Sequence, residues 1–168
     1  ITVEELKELV NLARLSPSGR NLQPLKYFLS ADQETNEKIF STLAWAGYLK
    51  DWDGPEEGEK PSAYIVILGD TRLTKNYFCD HGIASQSMLL GAVEKELGGC
   101  IFASIQREKL KQLLKIEDHF EVLLVIALGK PKEKVVVEDV KDGDIKYYRD
   151  ENQVHHVPKR ALDELIIL

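Results

Sequence analysis

Val122 to Leu128, seven apolar residues without a break, is the feature that most restricts what this chain can become. The run is far short of the ~20 apolar residues that cross a membrane as a helix. Gly129 and Pro131 end it, so Phe120 to Leu128 reads as a buried central strand. Ala63 to Leu68, β-branched and aliphatic and closed by Gly69-Asp70, reads as a second buried strand.

Helical patterns surround these strands. Val3, Leu6, Leu9, Val10 and Ala13 repeat at helical period, which predicts a helix over Val3–Leu15. Thr2 and Glu5 stand at the spacing of a capping box, and Ser16-Pro17-Ser18-Gly19 breaks the pattern. Leu25 to Ser30 reads as a strand. Asp32 opens a second helix that carries Ile39, Phe40, Leu43 and Ala44 inward. A long helix rich in small residues is expected from about Lys75 to Leu97, capped by Gly98-Gly99. Cys100 to Ala103 is a short extended piece, and Ser104 is placed to cap a helix bearing Leu110, Leu113 and Leu114.

Two stretches differ in character. Trp45 to Pro61 holds Gly47, Gly54, Pro55, Gly58 and Pro61, which preclude a long regular element, yet it carries Trp45, Tyr48 and Trp52. It reads either as a lid or as aromatics that close one edge of the core. Beyond Pro131 the chain is charged and poor in core residues. Val135-Val136-Val137 there allows a short strand, and the apolar tip at Leu162, Leu165, Ile166, Ile167 and Leu168 has little reason to stay in water. Residues 132–168 are therefore expected as an arm over the surface or over a partner.

With 168 residues the expectation is one domain, 1–168. The 28 acidic side chains outnumber the 22 basic ones, for a net charge of -6, which argues against nucleic acid as the main partner. Cys79 and Cys100 have no metal-ligand spacing and are too few for a disulfide framework, so no metal is expected. The polar amino terminus has no secretory h-region, and a cytoplasmic, membrane-free protein is expected. The chain starts Ile1-Thr2-Val3 without an initiator Met, from which a preceding segment is inferred.

No nucleophile elbow, P-loop or dinucleotide-binding glycine motif is present, and no catalytic dyad or triad stands out. His155 and His156 are adjacent, so on an extended chain they point to opposite sides and do not share a metal. The turn Pro17-Ser18-Gly19-Arg20-Asn21-Leu22-Gln23 offers short polar side chains and backbone N–H groups. These suit a ribityl chain or a pyrimidine edge, and equally suit a plain turn. Gly98-Gly99 allows close approach of backbone to a flat ring, or simply stops a helix. His156, Lys159 and Arg160 form a late cationic group, read as a phosphate site or a solvated patch. Arg14 and Arg20 are weaker candidates for that role.

Three stretches together resemble the nitroreductase family of FMN-dependent oxidoreductases. They are Ala13-Arg14-Leu15-Ser16-Pro17-Ser18-Gly19-Arg20-Asn21-Leu22-Gln23-Pro24, then Asp80 to Ala92 running on to Leu97-Gly98-Gly99-Cys100, then Val122 to Leu128 with Gly129-Lys130-Pro131. Leu25 departs from the family, which often has Trp there, and the family's opening arginine and serine segment would precede Ile1.

The resemblance implies an α+β fold, a central mainly antiparallel sheet flanked by helices in three layers. It implies a homodimer with FMN at the interface and residues 132–168 packing on the partner subunit. It implies electron transfer from NADH or NADPH to a nitroaromatic, quinone or related small aromatic acceptor by a ping-pong mechanism. A non-catalytic FMN-binding or flavin-sensing dimer, or specialised flavin chemistry such as reductive dehalogenation or flavin fragmentation, remains the alternative. The cofactor-binding residues it implies are Pro17, Ser18, Asn21, Gln23, Gly99, Cys100, Ile101, His156, Lys159 and Arg160. None is assigned as catalytic, because the flavin carries the chemistry. Cys100 enters through its backbone only.

Overall fold

Leu6, Leu9 and Ala13 are buried along one face of the first helix, α1 (Val3–Leu15), as its periodicity requires. Its start is a capping box: the Thr2 N–H donates to Glu5 Oε2 at 2.8 Å and the Glu5 N–H donates to Thr2 Oγ1 at 3.2 Å. The computed structural model describes all residues from Ile1 to Leu168. They form two compact units, Ile1–Ala44 with Glu56–Lys130, and Trp45–Pro55 with Pro131–Leu168.

The first unit is built on a four-stranded sheet of β1 (Leu25–Ser30), β2 (Ala63–Asp70), β3 (Gly98–Phe102) and β4 (Phe120–Gly129). The order is β1-β2-β4-β3 and every pairing is antiparallel. The two apolar runs thus become the central strands. Ala63, Ile65, Ile67, Ile126 and Leu128 join a core with α1 and α3 (Asp80–Glu94). Tyr64, Val66, Val125 and Ala127 alternate to the opposite face and are also buried. That face belongs to α2 (Gln33–Phe40) and α4 (Arg107–Leu114), whose Ile39 and Leu110 are fully buried. The architecture is α+β, with the antiparallel sheet between two pairs of helices.

The β2–β4 register slips by one residue. Ile67 faces Leu124 and Leu68 faces Val122, leaving Leu123 as a bulge. Arg107 caps the bulge by donating from Nε to the Val122 carbonyl at 3.0 Å and from Nη2 to the Leu123 carbonyl at 3.4 Å.

Four boundaries differ from the sequence expectation, each for a local reason. α3 begins at Asp80, not near Lys75. The Thr74 hydroxyl takes the Asn76 N–H, the Asn76 side chain takes the Phe78 N–H, and Phe78 stands at φ 49°, all incompatible with a helix. The same helix ends at Lys95 with Glu96 at φ 58°, so Gly98 and Gly99 enter β3 instead of capping it. α2 ends at Phe40, where Leu43 is bridged to Ile105 and Ala44 is exposed. That bridge, with the Ala44 N–H on the Ser104 carbonyl, holds Ser104 extended, and Gln106 precedes α4 in its place.

The second unit holds a three-stranded sheet, β5 (Val135–Asp139), β6 (Tyr148–Arg149) and β7 (His155–Lys159), in the order β5-β7-β6. β5 runs parallel to β7, and β6 antiparallel. Trp45–Pro55 belongs to this unit through rings: Tyr48 lies 4.9 Å from Tyr147, and the Arg149 guanidinium sits 4.4 Å over Trp52. Leu162 to Leu168 is exposed along its length. No helix in the protein is long and apolar enough to cross a membrane.

Candidate functional site

The turn after α1 is tied to α3 at two points. Ser16 Oγ and Ser87 Oγ are 2.8 Å apart, and Ser18 Oγ donates to Asp80 Oδ2 at 2.6 Å. The second oxygen of Asp80 accepts the Gly19 N–H at 2.8 Å. Asp80 is the first residue of α3 and only 4% exposed, so its carboxylate sits where the helix dipole favours negative charge. A side chain at Gly19 would crowd the Phe78 ring, because a Cβ there would lie 2.6 Å from it.

Inside the turn the backbone is strained and largely bonded to itself. Arg20, Asn21 and Gln23 have φ of 52°, 55° and 50°. The Asn21 N–H donates to the Ser18 carbonyl at 2.8 Å, the Leu22 N–H to the Gly19 carbonyl at 3.1 Å, and the Gln23 N–H to Ser18 Oγ at 2.9 Å. Four of the backbone donors that the sequence offered to a ligand are therefore already engaged, those of Asn21, Leu22 and Gln23 within the turn and that of Gly19 on Asp80.

A cavity of about 220 Å³ opens beside this turn, lined by Arg14, Pro17, Ser18, Gln23, Tyr27 and Asp80 among others. Tyr27 comes from β1, and its hydroxyl is pushed up to about 12, first by burial and then by the nearby Asp80 charge. The phenol is thus protonated at neutral pH.

Of the candidates named from the sequence, the cavity gathers Pro17, Ser18 and Gln23. Asn21 lies on the same turn and is exposed, outside the lining. Gly99, Cys100 and Ile101 lie on β3, an edge strand, and all three are exposed. The lack of a side chain at Gly99 is demanded by packing, since a Cβ would meet Leu89 Cδ2 at 2.4 Å and Leu128 Cδ2 at 3.0 Å. His156, Lys159 and Arg160 belong to the second unit. There, His156 Nδ1 lies 3.1 Å from Glu138 and Nε2 lies 3.4 Å from Asp150, so both ring nitrogens are engaged. Arg160 lies 3.6 Å from Glu164 and Lys159 is exposed. Sequence reasoning missed Asp80 and Tyr27 as site residues. Asp80 stood first in the second of the three stretches quoted above, and that was the available signal.

An antiparallel four-stranded sheet between two helix pairs, with a polar turn stapled to the start of a long helix, defines a class of α+β protein. Residues 1–130 match the model described as the nitroreductase family, and the chain belongs to that family. Among its relatives, the Bacillus subtilis protein MhqN is 25% identical across 79% of this chain and 80% of its own length. A solved structure from Parabacteroides distasonis, 27% identical, superposes with a TM-score of 0.65 over 93% of this chain and 86% of its own. The fold is shared with an FMN-dependent nitroreductase from Clostridium difficile R20291, at a TM-score of 0.63, 20% identity and coverage of 80% and 79%.

Proposed function

We propose that this protein is an FMN-dependent oxidoreductase passing electrons from NADH or NADPH to a small aromatic acceptor, a nitroaromatic or a quinone, in two half-reactions. The observation that carries the reading is the stapled turn and its cavity, which place Ser18, Gln23, Arg14 and Tyr27 around a space for a polar, hydrogen-bonding ligand. The provisional NAD(P)H nitroreductase name of MhqN and the FMN-dependent relative from Clostridium difficile support it.

The residues present fit the cofactor. Beside Ser18, Asn21 and Gln23, the edge strand β3 exposes Gly99, Cys100 and Ile101, the surface assigned to a flat ring. In the second unit, Lys159 and Arg160 are the cations suited to a phosphate, and His156, held by two carboxylates, supports their strand. When bound, the flavin supplies the hydride-accepting and electron-donating chemistry. The residues named here bind it, orient it and shield it.

A cofactor pocket usually encloses roughly 300–1,000 Å³. The cavity of about 220 Å³ is smaller, which supports a site completed by a second copy in a homodimer. Leu90 and Val93, 63% and 68% exposed on α3, and the exposed apolar tail from Leu162 to Leu168 are the surfaces assigned to that pairing. Residues 132–168 are then the arm that packs on the partner.

Purification of the full-length protein tests the reading. A yellow protein with a flavin band that bleaches anaerobically with NADH or NADPH, and recolours on adding a quinone or nitroaromatic, is expected. A yellow protein that neither nicotinamide bleaches is a flavin holder. A colourless protein that takes up no added FMN ends the proposal.

A further inference from the structure

The Ser18 hydroxyl has one proton and two lone pairs to distribute. Its neighbours leave no choice in how two of the three are used. Asp80 Oδ2, 2.6 Å away, can only accept, so it takes the proton. The Gln23 N–H, 2.9 Å away, can only donate, so it takes one lone pair. One lone pair is left, on a residue that lines the cavity.

The surroundings keep this arrangement from turning over. Asp80 is held by the Gly19 N–H on its other oxygen, and the turn is closed by the Asn21 and Leu22 N–H bonds. Asp80 itself is buried at the first position of a 15-residue helix. We propose that Asp80 is a positioning residue that makes Ser18 an obligate hydrogen-bond acceptor, so that the ligand group seated against Ser18 must be a donor, an N–H or an O–H. A phosphate or carbonyl oxygen is rejected at that point, because two acceptors would face each other without a proton.

Resting on the FMN reading, this narrows what meets the turn to the imide N–H of the flavin ring or a hydroxyl of its ribityl chain. Those share the donor chemistry and differ in the analogue that removes it.

The test uses the full chain as wild type, Asp80→Asn and Ser18→Ala, with thermal unfolding to confirm that each is folded. In Asp80→Asn the Gly19 N–H holds the amide oxygen, so the amide NH₂ faces Ser18 and the serine proton is released toward the cavity. Binding of FMN, of FMN methylated at the imide nitrogen, and of ribityl-deoxy FMN is measured by flavin fluorescence. Wild type is expected to favour FMN over one of the two analogues by about tenfold, a single hydrogen bond's worth. The analogue that loses identifies the source. In Asp80→Asn and Ser18→Ala that preference falls to near one. Undiminished preference in either variant overturns the proposal, as does a wild type that favours FMN over neither analogue.

If wild type binds no FMN, the functional reading fails and the hydrogen-bond assignment is read in the apoprotein. Wild type is expected to show a slowly exchanging Ser18 hydroxyl proton in its NMR spectrum, lost in Asp80→Asn. Its absence from wild type overturns the proposal by itself.

Discussion

The imidazole of His156 lies flat on the phenol ring of Tyr148, with 4.8 Å between centroids and 4° between planes. Glu138 and Asp150 stand at its two ring nitrogens, so groups from β5, β7 and the end of β6 meet at one imidazole.

That imidazole makes the second unit sensitive to pH. The hydrogen bond to Glu138 is the largest effect on His156; burial opposes it, and the hydrogen bond to Asp150 adds to it, so that the pKa is held above its ordinary value. A folded pKa raised above the unfolded one gives stabilisation that is full below about pH 6.5 and lost as pH climbs through the raised value. Glu138 is lowered, first by His156 and then by Tyr148; Asp150 is lowered chiefly by the Val154 N–H. Their contribution is present above about pH 4–4.5 and lost as pH falls through the lowered values. The second unit is therefore most stable between about pH 5 and 6.5. Amide exchange in β6 and β7, corrected for intrinsic rates, is expected to show protection falling from pH 6 to 8, and His156→Asn to flatten that fall. Protection that rises toward pH 8 contradicts it.

Gly99→Ala separates packing from cofactor approach. The added Cβ meets Leu89 and Leu128 within the sheet and helix layers. Overpacking of this kind costs about 1–3 kcal/mol. Urea unfolding of the apoprotein is expected to show that loss without any flavin present. A Gly99→Ala apoprotein as stable as wild type places the demand for glycine on the cofactor.

Arg107→Met tests the cap on the β4 bulge. The substitution keeps an apolar stem and removes the donors to Val122 and Leu123. Charge-assisted bonds to buried carbonyls are worth ~1.5–3 kcal/mol, less where the side chain reaches water as here. A loss of about 1 kcal/mol in denaturant unfolding is expected, with faster exchange at the Leu124 and Val125 amides.

Arg149→Ala loosens the second unit at Trp52. It removes the guanidinium 4.4 Å over that indole and the ion pair with Glu133 at 2.6 Å. Together these are worth about 1–2 kcal/mol. Both tryptophans of the chain, Trp45 and Trp52, lie in this unit, so tryptophan emission reports on it alone. The emission midpoint is expected to shift to lower denaturant. An unchanged midpoint means that the stacked pair does not hold Trp52.

Much of the first unit could be read along the chain because its causes are local. The capping box of Thr2 and Glu5 lies within four consecutive residues, and the two apolar runs carry their burial in their own composition. The misplaced boundaries are those where a distant partner or a strained backbone intervened. Ser104 has the side chain of a cap, but Ala44 and the Leu43–Ile105 bridge hold it extended. Phe78 and Glu96 adopt positive φ, which nothing in their residue type announces.

The site divides the same way. Pro17, Ser18 and Gln23 were recognisable as a polar turn, since short side chains and a proline beside a helix end favour one locally. Whether the turn's N–H groups were free could not be read there, because the answer lies in which atoms they reach. Asp80 is 62 residues from Ser18, and only the packing of α3 on α1 brings them into contact. The second unit joins Trp45–Pro55 to Pro131–Leu168 across an intervening stretch, and no local pattern pairs Trp52 with Arg149 or His156 with Glu138. The sequence by itself determined the strands, the helix faces and the family, because periodicity and short-range capping are properties of neighbouring residues. Only the tertiary structure decided which hydrogen bonds were already spent, because a donor is satisfied by whatever the fold brings to it.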